Sequence, residues 1–96
     1  MNLAKVHSVL VTFSTDNELP PGATWKDLAE TLTDRLEDFT GGASIDVRPQ
    51  FRLGHVEVTA CDEHGYWIGM DTDDYLRSVA GAVIDAWWED AYRAAE

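Results

Sequence analysis

The sequence predicts an α+β fold. Two helices cover one face of a four-stranded, mostly antiparallel sheet, a two-layer sandwich in the order β-α-β-β-β-α. Three observations predict it. Residues 44–70 alternate apolar and polar side chains with a period of two, interrupted by two turn signals. Two long stretches, one from Trp25 and one from Thr72, carry apolar residues at helical spacing. A strand-like run precedes the first helix, so the first strand and its sheet neighbour are joined by a helical crossover and run parallel.

The first strand runs from Leu3 to Ser14. Val9, Val11 and Phe13 fall on one parity, and Val6 and Leu10 on the other. A strand wet on one face would not show this pattern. It is either covered on both sides or has an outer face that joins an interface. The loop from Thr15 to Thr24 contains Pro20-Pro21-Gly22, which breaks any regular element. Thr24 then caps helix one, and Asp27 lies in its first turn, near the positive end of the dipole. The helix spans Trp25 to Thr40. Trp25, Leu28, Ala29, Leu32, Leu36 and Phe39 form its core stripe. Asp27, Glu30, Asp34, Glu37 and Asp38 occupy the opposite side, and Gly41-Gly42 ends the helix.

The three meander strands follow. A turn at Leu53-Gly54 would pair Phe51 with Val56 and Val47 with Ala60, keeping the apolar sets on one face. A three-residue turn at Glu63-His64-Gly65, with Gly65 left-handed, sets Ala60 against Ile68 and Val58 against Met70. Ile68 and Met70 then point inward and Trp67 outward. Pro49 lacks an amide donor, which favours an edge position for its strand. Asp71 or Thr72 caps the last helix, with Asp73 and Asp74 in its first turn. The helix extends to about Ala95, with Leu76, Val79, Ala80, Val83, Trp87 and Ala91 toward the core. At roughly 35 Å it overhangs strands of about 26 Å. A second ridge, Gly81, Ile84, Trp88 and Tyr92, is more than a two-layer core needs.

The 96 residues make one domain, long enough for a core. The N-terminus lacks a small-residue cleavage site and reads as a strand rather than a signal peptide. One cysteine fits a reducing, cytoplasmic setting. Eighteen acids against seven Lys and Arg give a formal charge of −11. Phosphates would be repelled, which argues against direct nucleic-acid or anionic-membrane binding and permits a basic protein partner. Solubility or a high-salt habitat explains the same charge without a partner.

Signals for chemistry are weak. Cys61 and His64 have a Cys-x-x-His spacing, but zinc needs about four ligands and no second pair exists. His55 lies on the same strand face as Cys61 but some 20 Å away. Asp62 and Glu63 beside Cys61 oppose a reactive thiolate. No phosphate loop, dinucleotide fingerprint or nucleophile elbow occurs. No catalytic, cofactor-binding or metal residue is therefore assigned.

Two surfaces stand out. Carboxylates spread along helix one, at Asp27, Glu30, Asp34, Glu37 and Asp38, can imitate the spacing of phosphates, as in DNA mimics. Trp88, Tyr92 and Ile84 on the spare ridge, and Trp67 on the sheet, are candidate interface anchors. These features point to a small acidic, non-catalytic protein-binding protein of the inhibitor, immunity or adaptor kind. Phages and mobile elements encode proteins of this size and charge. The alternative is a homo-oligomeric assembly protein, such as a homodimer. A small enzyme or ligand-binding domain stands behind both.

Overall fold

The computed structural model describes residues 3–15, 18–50 and 56–95. A 3-10 turn at Leu3–Lys5 precedes β1 (Ser8–Ser14). Helix α1 (Trp25–Thr40), strand β2 (Ser44–Gln50), strand β3 (Glu57–Cys61) and helix α2 (Met70–Ala95) follow. The fold is α+β, but the expected four-stranded, mostly antiparallel sheet is corrected. The sheet has three strands in the order β2-β1-β3. Strand β1 pairs parallel with β2 and antiparallel with β3.

Among the described residues β2 and β3 do not pair with each other as the expected hairpin requires, and β1 lies between them. Val47 pairs with Val11 rather than Ala60, and Ala60 pairs with Val9. Alternation reports which face a strand buries, not which strand lies beside it. Inserting β1 leaves the same faces inward. Phe51, Leu53, Gly54 and His55 lie outside the described residues, so the first turn does too.

The second turn forms in the expected register. Asp62 N–H donates to Tyr66 O at 2.9 Å and Ile68 N–H to Ala60 O at 3.3 Å. Gly65 is left-handed, with φ +81°. The fourth strand nevertheless reduces to one bridge, Trp67 to Cys61. Gly69, at φ +145°, redirects the chain straight into α2. Met70 is the first helical residue and 67% exposed, not inward beside Val58. Asp73 N–H bonds Gly69 O, so Gly69 takes the cap position expected of Asp71 or Thr72, and Thr72 is buried.

Helix α1 has the expected bounds because both ends are signalled locally. Thr24 Oγ1 accepts from Asp27 N–H at 3.1 Å. Gly41 adopts the left-handed conformation at φ 75°, and the N–H groups of Gly41 and Gly42 bond Asp38 O and Glu37 O. Leu28, Leu32 and Leu36 are almost completely buried. They pack with Val9, Val11, Phe13, Val58, Ala60, Leu76, Ala80 and Trp87 in one core on the inner sheet face. Phe39, expected in this stripe, is instead half-exposed and stacks on Tyr75 of α2 at 5.5 Å. The even-numbered side of β1 is open: Leu10 is exposed on the outer face, while Val6 precedes the strand and is buried.

The 26 residues of α2 span about 39 Å, more than twice the length of β3, so the helix overhangs as its apolar pattern indicates. Its first turn caps the free edge of β3 at Ala60. Asp73 Oδ1 accepts from Ala60 N–H at 2.9 Å, and Oδ2 accepts from Trp67 Nε1–H at 2.6 Å. Asp73 is thus a staple between sheet and helix rather than merely a charge favoured by the dipole. Asp73→Ala is expected to lower unfolding free energy by about 2 kcal/mol, the scale of lost charge-assisted hydrogen bonds. Chemical denaturation should also show Trp67→Phe costing less, because it leaves the Ala60 bond intact.

Candidate protein-binding surface

The two helices are joined near the overhanging end of α2 by an aromatic cluster. Trp25 begins α1 and lies 5.8 Å from Phe13 and 6.0 Å from Trp88, centroid to centroid. Trp88 meets Trp87 edge-on at 5.6 Å and Tyr92 at 5.9 Å. The rings form a chain from the buried Phe13 to Tyr92, which is 56% exposed. The ridge expected to be spare is therefore partly used by the fold. Trp88 and Ile84 are half-buried against the core, and Tyr92 is the ring left out in solvent.

Trp87 Nε1–H donates to Asp27 Oδ2 at 2.8 Å, across sixty residues of chain. The indole is 8% exposed, so its donor needs a partner within the protein. This removes Asp27 from the acidic binding face expected of α1. Glu30, Asp34, Glu37 and Asp38 remain exposed. Among the described residues none of the four is ion-paired; the pairs present are Asp46–Arg48, Glu63–His64, Asp74–Arg77 and Glu89–Arg93.

Beside the exposed ring lies an open hollow of about 570 Å³, lined by Glu18, Ile84, Asp85, Trp88 and Tyr92. Glu18 comes from the loop before α1, and Asp85 from α2. Neither carboxylate has a basic partner among the described residues. The sequence offers no signal for Glu18 here, because its approach to α2 depends on how the Pro20-Pro21 loop folds back. Neither a family model, nor a curated protein, nor a solved structure matches this chain.

Trp67 belongs elsewhere. It is 56% exposed beside Cys61, tied by its indole N–H to Asp73 in the first turn of α2. Asp73 and Trp88 are fifteen positions apart, roughly 22 Å along the helix axis. The two aromatic patches are therefore separate and do not form one site.

The Cys61–His64 segment is organised as a turn. Asp62 Oδ1 accepts from the backbone N–H groups of His64 and Tyr66 at 2.9 and 3.0 Å. The Tyr66 bond, then that from His64, holds the carboxyl below its usual range, with the charges of His64 and His7 adding to the effect. Among the described residues, no three His, Cys, Asp or Glu side chains are placed to hold a metal ion.

Two tests follow from this geometry. Asp27→Ala is expected to cost about 1–2 kcal/mol in denaturant unfolding, through the lost Trp87 acceptor and the lost first-turn charge. Glu30→Ala, on the same face, should stay within about 0.5 kcal/mol of wild type. Carbon-detected NMR titration should place the Asp62 carboxyl below an ordinary carboxylate. Because the folded value is lowered, its stabilisation is complete above the unfolded value and is lost as pH falls through the folded one. An Asp62→Ala protein should accordingly lose less stability than wild type across that acidic window.

Proposed function

We propose that this chain is a non-catalytic protein-binding protein that engages a basic surface of its partner. An inhibitor, immunity or adaptor role fits this reading better than catalysis. The observation that carries it is the hollow beside α2, whose lining brings together Trp88 and Tyr92 with Glu18 and Asp85, two carboxylates without a basic partner among the described residues. Aromatic faces and carboxylates together suit an arginine or lysine side chain, by cation–π contact and charge pairing. Trp88, already braced against the core, loses little conformational freedom on binding, which favours anchoring.

The charge pattern supports the same reading. The four free acids of α1, Glu30, Asp34, Glu37 and Asp38, together with the net charge of −11, attract a basic partner at long range. They also repel phosphate, which weighs against direct nucleic-acid binding. No helix among the described residues is long and apolar enough to cross a membrane.

The test is capture of a partner from lysate, its identification, and affinity measurement with purified variants. Tyr92→Ala is the informative truncation, because Trp88→Ala would also remove packing against Trp25. Tyr92→Ala and Asp85→Lys are each expected to weaken binding at least about tenfold, with unfolding midpoints close to wild type. Asp34→Lys/Glu37→Lys should mainly slow association and flatten the salt dependence. Affinity unchanged by Tyr92→Ala and Asp85→Lys alike would remove this surface from the binding site.

A further inference from the structure

We infer that the open edge of β2 pairs with the same edge of a second copy, antiparallel and centred on Val47. This goes beyond the partner surface on α2 and does not rest on it. Ser44 N–H donates to His7 O and Thr15 N–H to Gln50 O. The even-numbered residues of β2 therefore bond β1, and the backbone groups of Ile45, Val47 and Pro49 face away from the sheet. Strand β2 is an edge strand, and no described strand pairs with that side.

The side chains select one register. Asp46 and Arg48 both lie on the outer face, joined by a 2.8 Å ion pair and largely exposed. A two-fold axis at Asp46 would set Asp46 against Asp46, and one at Arg48 would set Arg48 against Arg48. Both cost energy, because like charges directly opposite repel. An axis at Val47 sets Asp46 against Arg48 of the second copy, twice. These are non-hydrogen-bonded pairs, in which facing side chains approach most closely. The half-buried Val47 then meets Val47 on the inner face, and Ile45 meets Pro49. Axes farther along the strand leave much of it unpaired.

The backbone agrees with this register. The Val47 pair exchanges two hydrogen bonds, and each Ile45 N–H reaches the Pro49 carbonyl of the other copy. The missing Pro49 N–H ends the ladder there. At the far edge of the sheet, Ala60 N–H and C=O are already taken by Asp73 and Ile68. The β2–β2 contact is two-fold symmetric and closes on itself, so this contact joins two copies and no more. Each copy carries a net charge of −11, so general repulsion opposes the contact. Added salt screens that repulsion and strengthens the pair, the opposite of its effect on a basic partner.

The test is sedimentation velocity from micromolar to millimolar protein at moderate and high salt. Wild type runs beside Asp46→Arg, Arg48→Asp and the double exchange. All are surface changes that leave the core intact. The expected result is a salt-strengthened dimer, weakened about tenfold by either single reversal. The two reversals move net charge in opposite directions, so a shared loss reports the local pairing. The double exchange restores association to within about threefold. Amide exchange at Ile45 and Val47 should slow as concentration rises. A wild-type protein monomeric at millimolar concentration in high salt would overturn the proposal. So would a dimer indifferent to both reversals but lost on Tyr92→Asp, which would place self-association on α2. Neither result touches the Tyr92→Ala test with a basic partner, so the two readings fail separately.

Discussion

Every strand pairing in the sheet passes through β1. Strands β2 and β3 are neighbours in sequence, yet each bonds to β1 and not to the other. The inner row of β1, Val9, Val11 and Phe13, is almost completely buried and supplies the centre of the core. The two helices can close over one face because β1 aligns the strands beneath them. The cost is topological. No described local hairpin seeds the three-stranded sheet, and both ladders require contacts across long stretches of chain, an arrangement that slows folding.

What the sequence disclosed follows from this distinction between local and distant causes. Helix α1 was legible to the residue because Thr24 and Gly41 act on atoms only a turn away. The left-handed Gly65 and the Ala60–Ile68 register were legible for the same reason. The position of β2 at an edge was visible through Pro49. The identity of each strand's neighbour was not, since alternation leaves the same side chains inward under either arrangement. The fourth strand failed at Gly69, where helix formation from Met70 competed with further pairing and prevailed.

The candidate surface divides in the same way. Exposed Tyr92 and the free acids of α1 could be picked out by helical spacing. The roles of Asp27 and Trp88 could not, because their partners, Trp87 and Trp25, are about sixty residues distant. An acid that looks like surface charge is a buried donor's acceptor, and a ring that looks spare braces a helix junction. Glu18 carries no such signal, because nothing in its local sequence predicts its place beside α2. Helical periodicity identifies faces, and only the packed structure decides which members of a face remain available.

The distribution of tryptophans has a spectroscopic consequence. Three of the four meet at the helix junction, where Trp25 and Trp87 each contact Trp88, while Trp67 lies at the other end of α2. Closely spaced, edge-on indoles couple their electronic transitions, and a neighbouring carboxylate perturbs the emission of Trp87. The near-ultraviolet dichroism of the protein is therefore dominated by the junction between α1 and α2, whereas quenching by solutes in water reports chiefly on Trp67. The protein carries two optical reporters at opposite ends of α2, and they divide the loosening of helix packing from the loosening of the β3 edge without any added label.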